Sequence, residues 1–305
     1  MDSIGTFAFN ETNIGAGGTF TMPDIQHYGD NAFDNIKATK IIVPEGVTEF
    51  HADELFRNCP NVVEIVLPST LTKINTGTFR ECRSLTAVNI PSSVTTIGEH
   101  VFHDCTSLSS VTIQNGVTLI DRDVFHNCPA LTSVEIPGSV TEIRGYAFAY
   151  DSGLTEVTLN EGLERIGDYC FRNCENLTSI KIPDSVKVIE HRGFLFNYKL
   201  ADVDLGNGVE ILGAYSFEEI AATQFVFPAS VKEVQTATLQ NCRNMEKIYF
   251  MGTPEEIEWS AMNTASDPVD VYVPWSEGDL DNAPWGLPSG STIHYDCDPS
   301  EYPIS

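Results

Sequence analysis

Leu131-Thr132-Ser133-Val134-Glu135-Ile136-Pro137-Gly138-Ser139-Val140-Thr141-Glu142-Ile143-Arg144-Gly145-Tyr146-Ala147-Phe148 is the stretch that decides how this chain folds. It recurs, with small edits, from about Phe33 to Phe250. Phenylalanine returns at Phe33, Phe56, Phe79, Phe102, Phe125, Phe148, Phe171, Phe194 and Phe217, each step 23 residues long. Leu239 continues this column one residue early, and Phe9 precedes it by 24. Proline returns at Pro44, Pro68, Pro91, Pro137, Pro183 and Pro228, with Gln114, Asn160 and Gly206 in the intervening turns. A third column reads Phe50, Ile74, Ile97, Ile120, Ile143, Ile166, Ile189, Leu212 and Val234. Chance does not keep three apolar columns in phase over so many turns.

Each unit has a direct physical reading. Leu131, Val134 and Ile136 put apolar side chains on one face of a short strand. Pro137 ends that strand, because proline has no N–H to give to a ladder. Gly138-Ser139 turns the chain, and Val140 to Ile143 is a second extended piece. Gly145 to Phe148 is read as a turn or a single helical turn that buries Phe148. Asn127-Cys128-Pro129 turns back towards the next strand. Stacked units of this kind pair as parallel strands about 4.8 Å apart, and about ten of them share one continuous core.

Self-similarity at a period of roughly 20–29 residues with leucine and valine anchors indicates a leucine-rich-repeat solenoid. The expected class is α/β, strand-dominated, with stacked parallel strands and short turns. Residues 1–19 are read as a partial repeat or N-terminal cap. Residues 20–250 are the solenoid. Residues 251–305 are read as a C-terminal cap over the last apolar edge. This last segment breaks the period, carries Trp259, Trp275 and Trp285, and has no Lys or Arg.

The units Ile90-Pro91-Ser92-Ser93-Val94-Thr95-Thr96-Ile97-Gly98 and Ala147-Phe148, with the Cys and Leu columns that follow, resemble the BspA-like leucine-rich repeat family. The resemblance runs from about Phe20 to Phe250, and the segment Tyr249 to Trp285 looks like that family's usual end. It implies a right-handed solenoid and a bacterial or protist surface protein that binds host or matrix proteins. It brings no shared catalytic residues.

Composition narrows the partners. The apolar content of 42% supports a real core, and the net charge is −26. That charge opposes DNA, RNA and anionic lipid, whose phosphates need Lys and Arg. No run approaches the roughly 18 apolar residues of a membrane span. The start, Met1 to Phe9, shows neither a basic n-region nor a long apolar h-region, so no secretory signal is read there. A monomer is expected.

The candidate chemistry lies in four columns. Cys59, Cys82, Cys105, Cys128, Cys174 and Cys242 fall three residues after the Phe column, where Asp151, Asn197 and Ile220 also stand. Repetition of one turn predicts a ladder of buried thiols rather than a disulfide framework. The column just after Phe reads Arg57, Arg80, His103, His126, Ala149, Arg172, Leu195 and Glu218. It is either a basic stripe suited to a carboxylate or sulfate, or a solvated edge paired with Glu81, Asp104 and Asp123. His103 and His126 face each other in adjacent turns, with no third ligand in the pattern to complete a metal site. The column two before Phe holds Tyr146, Tyr169, Arg192 and Tyr215, which is either an exposed aromatic ladder suited to sugars or protein, or a structural ladder in which Tyr169, Arg192 and Tyr215 stack by cation–π contact. The outward strand positions read Ile42, Val66, Asn89, Thr112, Glu135, Thr158, Lys181, Asp204, Val226 and Tyr249. They form the expected binding face.

No G-x-S-x-G, H-E-x-x-H, Walker loop or G-x-G-x-x-G occurs. No catalytic residue, cofactor or metal ligand is therefore assigned. Glu277-Gly278-Asp279-Leu280-Asp281-Asn282 offers oxygens without the order of a calcium loop. The reading is a non-enzymatic, adhesion-type module that binds a protein or glycan at the cell surface or outside the cell. The alternative is a structural spacer or display scaffold with no ligand of its own.

Overall fold

Each 23-residue unit becomes one turn of a stack of parallel strands. The computed structural model describes residues 3–25, 27–265, 268–280 and 285–302, which divide into two compact units, 1–157 and 158–305. In the first unit, Thr19–Thr21, Lys40–Ile42, Glu64–Val66, Ala87–Ile90 and Ser110–Ile113 form one parallel sheet. A second ladder of two-residue strands runs Lys73–Ile74, Thr96–Ile97, Leu119–Ile120 and Glu142–Ile143, with Ile74, Ile97, Ile120 and Ile143 in register. In the second unit, a ladder of two-residue strands runs Arg165–Ile166, Val188–Ile189, Ile211–Leu212, Glu233–Val234 and Glu256–Ile257. The only helical element among the described residues is the 3₁₀ turn Pro299–Glu301, and no helix is long and apolar enough to cross a membrane.

The columns explain the corners. After each longer strand, the proline carbonyl closes a turn onto the residue three later, as in Val140 N–H to Pro137 O at 3.0 Å and Val186 N–H to Pro183 O at 3.1 Å. The Cys column makes the opposite corner in the same way, with Leu131 N–H to Cys128 O at 2.9 Å. Cysteine is small enough to be buried there, and Cys82, Cys105 and Cys128 each point Sγ at a carbonyl of the Phe column, Phe56, Phe79 and Phe102, at 3.3 Å. All eight cysteines stand as thiols, seven of them buried.

The stretch around Phe is a turn of unusual regularity rather than a helical one. The residues two before and two after Phe are left-handed in turn after turn, among them Glu54 and Asn58, Asp123 and Asn127, and Tyr169 and Asn173. A non-glycine residue there costs on the order of 1 kcal/mol, least for Asn and Asp. The alternation lets successive donors find partners in the next turn. Glu54, Phe56 and Asn58 donate to Thr76, Thr78 and Arg80 of the next turn at 2.8, 2.9 and 2.7 Å, while Arg57 N–H closes onto Glu54 O at 3.1 Å. The same register stacks the phenylalanine rings. Phe79, Phe102 and Phe125 lie 5.8 and 5.4 Å apart with planes within 13°.

Both ends differ from a plain reading of the period. Ser3–Ile4 pairs with His27–Tyr28 in parallel, and Phe9 stacks on Phe33 at 5.6 Å. Beyond residue 250 the sequence period is lost, yet Asp270–Tyr272 and Thr292–His294 extend the parallel ladder from Lys247–Phe250. Trp275 and Trp285 are buried against Phe250, and Trp259 is exposed. Asp281 and Asn282 of the acidic segment lie outside the described residues.

Candidate functional site

The alternation of short strands turns one residue in two outward. Val66, Asn89, Thr112, Glu135, Thr158, Lys181 and Asp204 are exposed, and Ile42 and Val226 are half-buried. Tyr249 corrects the sequence reading, because it is fully buried. The ladder goes on past it, so Tyr272 stacks on its ring at 4.9 Å and Tyr302 folds back to 5.1 Å. A residue expected at the end of the face is interior instead.

Within residues 158–305 the outward face opens into a groove. Ser179–Lys181 pairs with Asp202–Asp204, and Gln224–Phe227 pairs with Lys247–Phe250, but no ladder joins Asp202–Asp204 to Gln224–Phe227. The gap is a cavity of about 610 Å³ lined by Asp202, Asp204, Val203, Gln224, Val226 and Met251, among others. It brings together Asp204 and Val226 from the expected face. Asp204 accepts the Gly206 N–H at 2.9 Å and lies 3.6 Å from Lys181 Nζ. Asp202 has no ion-pair partner among the described residues. The groove coincides with the place where the repeat loses one residue, near Ala221 to Phe225.

The edge beside the Phe column is largely self-compensated. Arg57 lies 3.2 Å from Glu54 and 3.6 Å from Glu81, and Arg80 lies 3.7 and 3.5 Å from the same two acids. These arginines form an ion-pair lattice in which no bare positive stripe is presented. Further along, Arg192 sits over the rings of Tyr215 and Tyr169 at 4.8 and 5.5 Å and donates to the Tyr169 hydroxyl at 2.7 Å. Arg172 sits over Tyr169 and Phe196 at 5.6 and 5.4 Å. Tyr169 and Tyr215 are half-buried, so part of each ring is committed to the stack, and Tyr146, also half-buried, tilts against His126 at 6.2 Å.

Between the arginine lattice and the tyrosine ladder lies a histidine cluster. His103 and His126 stack in parallel at 4.6 Å, and His100 meets His103 edge-on at 5.6 Å. Asp123 lies 3.1 Å from His126 Nδ1 and 3.7 Å from His100 Nδ1. Burial pushes the His103 pKa below its ordinary value. Asp104 opposes that shift, and His126 and Arg80 add to it. Burial thus disfavours the charged form of His103. A different set comes together instead: His100 and Asp123 approach His103 diagonally from the column two before Phe. The repeated spacing of His100-x-x-His103 and Asp123-x-x-His126 is the signal that reveals them.

Burial raises the thiol pKa of Cys59, Cys105 and Cys128, and that of Cys242 to about 12, which leaves them protonated and inert.

A family profile described as "BspA type Leucine rich repeat region" matches residues 1–98, 26–155, 72–200 and 164–274. No curated protein sequence matches the chain. Among solved structures, the pneumococcal vaccine antigen PcpA is similar at 19% identity over 96% of this chain and 76% of its own, with a TM-score of 0.58. The leucine-rich repeat protein TpLRR of T. pallidum is similar at 26% identity over 57% of this chain and 82% of its own, with a TM-score of 0.50. A leucine-rich cell surface protein of Faecalibacterium prausnitzii is similar at 22% identity over 84% of this chain and 88% of its own, with a TM-score of 0.46.

Proposed function

Since the chain belongs to the BspA-type leucine-rich repeat family, we propose that it is a non-enzymatic binding module that takes a protein ligand on its outward sheet face, centred on the groove at Asp202, Asp204 and Val226. The groove is the observation that carries this reading. It combines apolar lining from Val203, Val226 and Met251 with carboxylates from Asp202 and Asp204. Such a mixture suits a side chain that buries an aliphatic part and presents a cation, as Lys and Arg do. The surrounding face is shallow and polar, which is the usual setting for a central contact with a wet rim. The reading includes a cell-surface or extracellular setting, which family membership supports.

The test is a binding screen of the full chain against extracellular-matrix proteins, cell-surface proteins and a glycan array. Two variants accompany it. One carries Asp202→Lys, Asp204→Lys and Val226→Asp, and the other carries Tyr146→Ser, Tyr169→Ser and Tyr215→Ser. A retained protein ligand should be lost by the groove variant, where a central contact is worth about 2 kcal/mol or about thirtyfold in affinity. The tyrosine variant should keep it. Retention of sugars alone would reject the protein class. A wild type that retains nothing would favour a spacer.

A further inference from the structure

Two successive turns carry His100-Val101-Phe102-His103 and Asp123-Val124-Phe125-His126. Their register is fixed, since His100 N–H bonds to Arg122 O at 3.0 Å and Phe102 N–H to Val124 O at 2.8 Å. Four side chains with lone-pair donors therefore stand at the corners of one small square. The same corners elsewhere hold Glu54 and Arg57, Gly77 and Arg80, Tyr146 and Ala149, Tyr169 and Arg172, Arg192 and Leu195, or Tyr215 and Glu218. Each of those turns offers a cation, a hydrophobe or at most one good ligand. Three of the chain's seven histidines fall in this one square.

The distances suit a shared ion. His100, His103 and Asp123 each place a ligand atom within 4.8 Å of the other two. Nδ1 of His100, His103 and His126 are all shielded from solvent and make no hydrogen bond, although carboxylate oxygens lie near them. Those oxygens are close but out of line. A buried polar atom left unsatisfied is costly, so three in one place call for an explanation. An ion provides one. Four-coordinate zinc with bonds of about 2.0–2.1 Å holds its ligands about 3.4 Å apart, so closure needs side-chain shifts of about an ångström. Arg80, a cation that acts on His103, is already held by Glu54 and Glu81.

We propose that His100, His103 and Asp123 form a binding site for a transition-metal ion of the zinc class, with His126 holding the second oxygen of Asp123. Two imidazoles favour zinc, copper or nickel over calcium or magnesium, which prefer an all-oxygen shell. His126 then acts as an outer partner that orients the carboxylate ligand. Three protein ligands leave a coordination position for water or for a group on a partner.

Calorimetric titration of the full chain with zinc chloride, at neutral pH in a weakly coordinating buffer, tests this. One ion should bind per chain. His100→Gln, His103→Gln and Asp123→Asn should each abolish detectable binding, and His126→Gln should weaken it on the order of tenfold. His294→Gln, which alters the separate His294–Asp270 pair at 3.2 Å, should leave it unchanged. Zinc should raise the melting temperature of the wild type and not of the three ligand variants, all of which should keep the wild-type circular dichroism spectrum. The proposal is overturned by a wild type that binds zinc no tighter than His103→Gln, or by calcium that binds as well as zinc. A thiolate charge-transfer band in the cobalt-substituted protein would also overturn it, by assigning the ion to cysteine.

Discussion

Phe125→Ala is the most direct probe of the stacked architecture. Phe125 is fully buried, and its ring lies between Phe102 at 5.4 Å and Phe148 at 5.3 Å. Truncation removes contacts on both sides at once. A buried aromatic ring covers on the order of 170 Å², which at about 25 cal/mol per Å² corresponds to about 4 kcal/mol. Measured Phe→Ala changes in cores fall at about 3–5 kcal/mol, with the residual cavity included. Phe9 stands in the same column but is half-buried and stacks on Phe33 alone. With one neighbour and partial exposure, Phe9→Ala should cost about 1–2 kcal/mol. The assay is urea unfolding followed by circular dichroism, with the slope checked for each variant, since a repeat array can lose two-state behaviour. Hydrogen exchange adds a local readout at Phe102 and Phe125, whose N–H groups bond to the next turn. Equal losses for the two variants, or a loss below about 1 kcal/mol for Phe125→Ala, would refute the nearest-neighbour stack.

Two further predictions concern the Cys column. Burial holds the Asp151 carboxyl well above the usual carboxylate range. The folded state thus keeps a proton that the unfolded state releases near pH 4, so this contribution is present below about pH 4 and is lost as pH rises through the folded pKa. Asp151→Asn should remove that fall, and the variant should gain on wild type in denaturant midpoint as pH rises. A difference that does not change with pH would sink the reasoning. Asn197 occupies the equivalent slot and donates to Phe171 O and Phe194 O at 3.0 and 2.8 Å, so an amide is sterically acceptable there. For the thiols, a maleimide reagent on native protein should label Cys297 first, because the other seven are buried, and reductant should leave the melting curve unchanged. Rapid native labelling of Cys105 or a melting shift with reductant would contradict the thiol ladder.

The fold was legible in the sequence because its determinants repeat in register. Phe, Pro and Ile columns each name a structural slot, and the slots are filled as read. The arginine column was legible in its bland form, since Glu54 and Glu81 sit where Arg57 and Arg80 need them. The histidine cluster was harder, because its contacts run diagonally between two columns and a single column shows only His103 and His126. Tyr249 was misread for a different reason. Sequence periodicity stops at Phe250, but backbone pairing through Asp270–Tyr272 does not need a repeated sequence. The groove lies where no ladder joins Asp202–Asp204 to Gln224–Phe227, and only a one-residue loss near Ala221 to Phe225 hints at it.

The Cys column shows why departures from the repeat are the places to look for function. Cys128 donates to the Phe102 carbonyl, Asn197 donates to Phe171 and Phe194, and Asp151 instead accepts the Cys128 N–H at 2.6 Å. Ile220 fills the slot with no polar group at all. Four chemistries occupy one backbone geometry, so the inward columns constrain volume more strongly than identity. Outward columns are held to a looser volume constraint. A substitution there changes the chemistry offered at a position the backbone already fixes, as His100 and Asp123 do where Glu54 and Gly77 stand in earlier turns. Such sites need no new loop and no new fold. Their ligands are presented on a rigid ladder, which favours preorganised contacts over contacts that must be ordered on binding. On that reasoning, Asp202→Lys and Asp204→Lys, both at exposed positions, should alter ligand affinity while leaving the unfolding free energy within about 0.5 kcal/mol of wild type, as expected for surface changes. A coupled loss of stability would mean that these columns belong to the scaffold after all.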